Sequence, residues 1–415
     1  MLLATKIILF ATPFFFLLIF IELWVNKRRN AGFYRLNDGL TSLSLGVISQ
    51  TKKLVMFSFA TMVYSGLSNY LQFIQLSSGS AFTWILSFVL YDFLYYWYHR
   101  YSHQINFLWA SHVVHHQSEE FNLTTALRQT SSSVMVWFFY IPSFLIGIPA
   151  EAFFVSGALN LVYQFWVHTQ LIGKLGIWFE FIFVTPSHHR VHHGQNQLYI
   201  DKNHGGVFII WDRFFGTFQQ EMDNEKVIYG VRRPVSSFNP IWANLHTWYL
   251  LLIDAVRARR WRDKLRIWFM PTGWRPEDVE KAHPLIKCDP YQQNKYDIKR
   301  SHKVKIYALF QYVFGTVFGV VFIQSSQILG FEHQLFIWMM ITLPFISNGF
   351  ILEGRNFALK FELGRLILLI PVFYLLSEYF SQNLINLVIG YILSSFILAF
   401  FMLNSKPHRS AVTGQ

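Results

Sequence analysis

Long apolar runs alternate with short basic loops along most of this chain, and the spacing of those runs predicts its elements. The first, Ile7 to Val25, is long enough to cross a hydrocarbon layer as a helix and is followed at once by Lys27, Arg28 and Arg29. It reads as a retained anchor with no cleavable leader, its following loop on the cytosolic side. A polar turn (Asn30 to Asp38) leads into a mixed run, Leu40 to Leu67, broken by Lys52 and Lys53; a third run, Ala81 to Tyr98, ends in histidines. Val134 to Ile148 and Ala152 to Trp166 are shorter, at 15 residues each, and are split by Gly147 and Pro149. That length predicts a re-entrant or strongly tilted pair. From Ser187 to His302 the chain is polar, basic and rich in tryptophan, and reads as a cytosolic cap with amphipathic helices on the membrane face. Four more apolar runs follow, at 306–324, 334–352, 364–378 and 384–403. The expected fold is all-α: a multi-pass membrane helical bundle with a cytosolic histidine-box di-metal cap. It divides into N-terminal membrane helices (1–80), a chemistry-bearing segment with its cap (81–303) and C-terminal membrane helices (304–415).

Composition sharpens this picture. Only 14% of the 415 residues are charged, against about 25% in a soluble domain. The net charge of +12 sits in loops between apolar runs, where it sets topology and meets anionic headgroups. Nucleic acid is therefore not the expected partner. A single cysteine, Cys288, excludes a disulfide, a cysteine-rich zinc site or an iron–sulfur cluster within the chain.

Histidine is the outlier, with 16 residues concentrated in one part of the sequence. His99 and His103 stand four apart, His112 precedes His115 and His116, and His189 precedes His192 and His193, with His168 alone between these groups. Residues three and four apart share a helix face, so each group converges its imidazoles. Nine imidazoles are more than one zinc ion takes and suit two metal ions with positions left for oxygen or substrate. One buried histidine is usually only a satisfied polar residue; the repeated H-x-x-H-H beside membrane runs is not that pattern. Asp92, two turns before His99, is expected either to orient an imidazole through its free N–H or to play a structural role, pairing with Arg100 or another basic residue. Asn196 is a second candidate partner of the rings. Arg128 and Asn203 are further candidates, and His204 reads as a cap or surface residue. A metal transporter would string polar groups across the membrane, whereas these histidines cluster at one edge.

The stretches Asp92-Phe-Leu-Tyr-Tyr-Trp-Tyr-His99-Arg, His112-Val-Val-His115-His116, His189-Arg-Val-His192-His193-Gly and Ile210-Trp-Asp-Arg-Phe-Phe-Gly-Thr-Phe218 resemble the fatty acid hydroxylase superfamily. That group of membrane di-iron proteins includes sterol desaturases. The resemblance covers about residues 81–220 and implies a catalytic domain of that type within 81–303. Leu36-Asn-Asp-Gly-Leu-Thr-Ser42, Ser118-Glu-Glu-Phe-Asn-Leu-Thr-Thr-Ala-Leu-Arg-Gln129 and the four C-terminal runs are similar to the branch that cleaves glyceryl ethers. It implies two iron ions, a lipid substrate whose ether-bearing carbon is hydroxylated, and a reduced pterin (tetrahydrobiopterin) as electron source. The pattern departs at Gln104, where the branch carries an acidic residue, and at His204, where it carries tyrosine. No His-Pro-Gly-Gly signature of a fused cytochrome is present, so a separate electron donor is expected. Hydroxylation or desaturation of a sterol, carotenoid or fatty acyl lipid is the alternative chemistry. The expected location is a bacterial inner membrane or the endoplasmic reticulum, with the active site facing the cytosol.

Overall fold

The computed structural model describes residues 3–132, 135–285, 288–325, 329–375 and 381–403. Among them helices carry the architecture, and the only β pairing is two isolated bridges. The chain splits into two compact units. One comprises Met1–Arg35, Met56–Val235 and Asn244–Asn294; the other comprises Leu36–Val55, Ser236–Ala243 and Lys295–Gln415.

In the first unit the anchor is helix α1, Leu3–Arg29, ending in its three basic residues. Its 27 residues extend about 40 Å at 1.5 Å per residue, more than a hydrocarbon core of about 30 Å requires. The mixed run forms one 36-residue helix, α2 (Leu36–Leu71), whose first half belongs to the second unit. Helix α3, Ala81–Gln104, carries the first histidines at its C-terminal end. Ile105 then takes an extended conformation, serving at once as the C-cap of α3 and the N-cap of α4, Asn106–His116. A later segment holds that corner: the N–H groups of Asn106 and Phe107 donate to the carbonyls of Met270 (3.0 Å) and Trp268 (2.8 Å).

The two shorter runs fold differently from each other. The second is helix α5, Ala150–Trp166. The first yields only the turns Val136–Phe139 and Ile141–Leu145, with Val134 outside the described residues. Small residues let α5 lie close to α3. Ser87 and Ser156 share a hydrogen bond of 2.9 Å, and a Cβ on Gly157 would stand 2.8 Å from the Tyr91 hydroxyl oxygen. Tyr64, Tyr140, Phe144 and Phe153 fill the space beneath this crossing as a buried aromatic cluster. Phe15 of α1 stacks on Phe165 of α5 at 4.1 Å between ring centroids, a contact worth about 1 kcal/mol beyond the area it buries. After α5 come α6, Pro186–His192, which bears the last histidine box, and α7, Pro240–Arg257.

The C-terminal runs form helices α8 (His302–Ser325), α9 (Phe331–Glu353), α10 (Ala358–Leu375) and α11 (Gln382–Leu403) of the second unit. The end of the third run, 376–378, lies outside the described residues. Among the described residues, four segments are long and apolar enough to cross a membrane: Leu3–Arg29, His302–Val321, Phe331–Glu353 and Gln382–Met402. The all-helical membrane architecture expected from the sequence is therefore present.

Candidate metal centre

Three local devices aim the histidines. On α3, His99 and His103 are four residues apart and both buried; on α4, His112, His115 and His116 project from one side. Helix α6 has an N-terminus built for its place: Thr185 is the N-cap and Pro186 follows it, where a missing N–H costs nothing. His188 completes that cap, accepting from the Thr185 N–H through Nδ1 at 3.3 Å. This neighbour of the box thus holds the helix end, which leaves His189, His192 and His193 to face inward.

These residues assemble into two clusters. His99, His103, His112, His116 and His192 form one, and His115, His168, His189 and His193 the other, with potential donor atoms within 4.8 Å of one another in each. The clusters adjoin: the His116 and His193 rings stack at 4.3 Å, and those of His192 and His193 lie 5.3 Å apart. All nine histidines predicted from the sequence are thus brought together.

Backbone carbonyls set the tautomers. Nδ1 of His99 donates to the His204 carbonyl (2.7 Å), that of His115 to Arg128 (3.0 Å), that of His168 to Gln164 (2.7 Å) and that of His192 to Lys202 (3.0 Å). A carbonyl only accepts, so each of these nitrogens carries the single proton of a neutral imidazole, and Nε2 presents a lone pair. Yet Nε2 of His115 lies 3.1 Å from Nε2 of His168. No proton is left to join them. Nor does either ring take a second proton, because burial pulls His115 down to about 4 and His168 well below its ordinary value. A cation resolves the contact, since two metal–nitrogen bonds of ~2.1 Å at a right angle put the nitrogens about 3.0 Å apart. The same spacing recurs between His189 and His168 (2.9 Å), His193 and His115 (3.1 Å), His99 and His112 (3.0 Å) and His116 and His112 (3.1 Å). Nε2 of His103 and of His192 is buried without any partner, a costly state for a polar atom unless a ligand meets it. The donor set fits metal ions.

The expected side-chain partners do other work. Asp92 reaches no imidazole. Its carboxylate accepts from the N–H groups of Val207 (2.7 Å) and Phe208 (3.1 Å), from the Trp211 indole (2.9 Å) and from the Asn160 amide (2.6 Å). It therefore fixes the loop after the last box, the loop whose carbonyls hold His99 and His192. Asn196 is equally remote from the rings. It accepts from the Ile228 N–H (2.9 Å) and donates to the Lys226 carbonyl (2.9 Å) and the Glu225 carboxylate, closing a loop. Arg128 donates to the Val114 carbonyl at 2.9 Å near the end of α4, while its own carbonyl orients His115. Asn203, at φ +56°, ties that loop to the His188 and Gln219 carbonyls.

Two residues were missed. His204 is no surface residue: it is fully buried, its ring lies 5.1 Å from that of His103, and neither ring nitrogen has a partner. Asp212 accepts from the N–H groups of His204 (2.7 Å) and Gly205 (2.8 Å), and so helps set the carbonyl that His99 uses. The only sequence signal for either was their place in the trailing Asp201-Lys-Asn-His-Gly-Gly and Trp-Asp-Arg motif.

Burial also gives the centre a pH signature. His115 is held near 4, and His116, His189, His192 and His193 well below 6.5. Below pH 6.5 the unfolded chain takes up protons that the folded one refuses, so the sign is a loss of stability as pH falls from about 6.5 towards 4. The loss is up to ~1.4 kcal/mol per pH unit for each ring kept neutral. Metal-stripped protein is expected to lose its fold at a clearly lower temperature at pH 5.5 than at pH 7.5; equal midpoints would show that the rings titrate freely.

Nine imidazoles in two adjoining clusters, on an all-helical scaffold with helices of membrane-spanning length, define a histidine-box metal centre. The sequence model for fatty acid hydroxylases matches residues 84–217, the stretch that holds every one of these rings. The chain is 37% identical to alkylglycerol monooxygenase of Homo sapiens over 370 residues, 88% of this chain and 81% of that one. It is likewise 37% identical to that of Xenopus tropicalis over 360 residues, 86% and 80% of the two chains. An ornithine lipid hydroxylase of Rhizobium tropici is 29% identical over 161 residues, 38% of this chain and 48% of that one. No solved structure matches significantly. The chain belongs to the alkylglycerol monooxygenase family of fatty acid hydroxylase-type oxidoreductases.

Proposed function

We propose that this chain is a membrane di-iron monooxygenase that cleaves the ether bond of alkylglycerols. The observation that carries the metal part is the close Nε2–Nε2 contact of His115 and His168, two rings whose protons are committed to backbone carbonyls. The substrate reading rests on the similarity to alkylglycerol monooxygenases over most of the chain. His99, His103, His112, His116 and His192 would hold one iron, and His115, His168, His189 and His193 the other. Bound iron would supply the dioxygen-derived oxidant that attack on an unactivated C–H bond demands.

The remaining work falls to the chain. The carbonyls of His204, Arg128, Gln164 and Lys202 keep Nε2 bare and aimed inward, so that little reorganisation is needed on binding. Half-buried Trp109, 5.1 Å from the His103 ring, and buried Phe121, 5.6 Å from that of His168, limit water around the reacting carbon. In the overall balance, the ether-bearing CH2, dioxygen, two electrons and two protons give a hemiacetal and water. The hemiacetal then separates into a fatty aldehyde and a glycerol. A separate donor, a reduced pterin in this reading, supplies the electrons. The centre faces the cytosol in this reading, supported by the basic residues that end α1.

Membranes containing the protein, given a labelled 1-O-alkylglycerol in air, are expected to form fatty aldehyde and its acid only when a reduced pterin is added. Iron-loaded protein that forms neither would refute ether cleavage and move the assignment to hydroxylation of another lipid.

A further inference from the structure

The apolar run of the anchor, Ile7 to Val25, contains one charged residue, Glu22, which belongs to neither histidine cluster. Its side chain is buried. An acidic group in such a run is costly, and its usual justification is function. The carboxylate joins three segments of the first unit. One oxygen accepts from the Thr169 hydroxyl; the other accepts from the Tyr34 hydroxyl and from the Leu123 N–H at 2.8 Å.

Two of these bonds lead to rings of the four-histidine cluster. Thr169 follows His168, and its carbonyl accepts at 3.0 Å from Arg190, the residue after His189. Leu123 opens the helical turn Leu123–Ala126, which Asn122 caps by accepting the Thr124 N–H at 3.0 Å. The Arg128 N–H donates to the Thr125 carbonyl of that turn (3.0 Å), and the Arg128 carbonyl orients His115 (3.0 Å). The segment after α1 grips the same turn a second time, since the Asn122 amide donates to the Phe33 carbonyl at 2.7 Å. His99 and His192 of the five-histidine cluster take their orientation from a different loop, through the His204 and Lys202 carbonyls.

We propose that Glu22 is a positioning residue of the four-histidine cluster. It locks the segments that carry His168 and His189 to the turn that orients His115, and so makes the anchor helix part of the metal centre. Groups that hold ligand rings from behind are typically worth ~10–100-fold in metal affinity. What the site needs is an acceptor at a fixed place rather than a charge. In Glu22→Gln the side-chain oxygen still accepts from Leu123 and Tyr34, and the amide N–H meets the Thr169 hydroxyl, which accepts as well as donates. Glu22→Leu offers no acceptor and leaves the buried Leu123 N–H unmet. The role rests on the reading that each cluster holds one iron.

The test counts iron on full-length protein in mild detergent before and after challenge with a chelator. Wild-type protein is expected to hold two ions. Glu22→Leu is expected to release one of them at least ~10-fold faster and to hold the other as wild type does, while Glu22→Gln behaves as wild type. In a His115→Ala background, which already lacks the four-histidine ion, Glu22→Leu is expected to remove no further iron. If Glu22→Leu fails to fold, Thr169→Val deletes one of the three bonds and is expected to loosen the same single ion. Two ions held as tightly as in wild type, or both released together, would overturn the role; the second result marks a carboxylate that only holds the fold. Wild-type protein with fewer than two ions would overturn the two-iron reading, and this role with it.

Discussion

A His115→Ala protein is expected to reach the membrane in normal amount, to lose most of the metal from its four-histidine cluster, and to turn over lipid at least ~100-fold more slowly. His115 is chosen for a geometric reason, which it shares with His168. Its Nε2 lies 3.1 Å from the Nε2 atoms of both His168 and His193, so it joins two other rings of the cluster. The control is His188→Gln, beside the last histidine box. His188 is as buried as its neighbours, yet its Nδ1 caps α6 and its ring packs 5.5 Å from Phe218. That variant should keep its iron and lose only a fraction of its thermal stability. Iron analysis and turnover on the two purified proteins separate a ligand from a buried bystander; equal iron in both would remove His115 from the centre.

The second large effect is expected at a residue that touches no histidine. Asp92→Ala deprives the Val207 and Phe208 N–H groups, the Trp211 indole and the Asn160 amide of their common acceptor. Each buried donor left alone costs about 1–3 kcal/mol, so the total is on the order of 4 kcal/mol or more. The loop from Lys202 to Trp211 should loosen, taking with it the carbonyls that orient His192 and His99. Low yield of folded protein, and weakly held iron in what survives, are the expected results. Asp92→Asn keeps the shape but exchanges one acceptor oxygen for a donor that faces N–H groups, and should rescue only part of the loss. Wild-type stability in Asp92→Ala, read as the midpoint of thermal aggregation in detergent, would contradict this role.

The nine rings were legible in the sequence because helical spacing is a local property. H-x-x-x-H and H-x-x-H-H each put imidazoles on one face whatever the rest of the fold does. The partition into five and four was not legible. It splits box residues that adjoin in sequence, His115 from His116 and His192 from His193, and only the packing of α3, α4, α5 and α6 decides which ring goes where. The imidazole partners were misread for a related reason. Carboxylates and amides near a histidine in sequence drew attention to Asp92 and Asn196, while the structure uses backbone carbonyls, which every residue has. His204 was hidden in the same way. A histidine in a Gly-rich turn reads as exposed, and burial of that turn depends on Asp212, eight residues on, accepting two of its N–H groups. The helices themselves were plain from the apolar runs, but run length alone did not distinguish α5 from the broken turns before it. The close approach at Gly157 and the Ser87–Ser156 hydrogen bond accompany the unbroken helix of the second run.

Counting the metal on active protein tests the central claim most directly. Protein purified in mild detergent, and shown to oxidise lipid, would be analysed for iron per chain by mass spectrometry. Two clusters of buried, proton-depleted imidazoles predict two iron ions per chain. Active protein carrying less than one iron for every two chains would contradict the paired centre, however well the histidines converge.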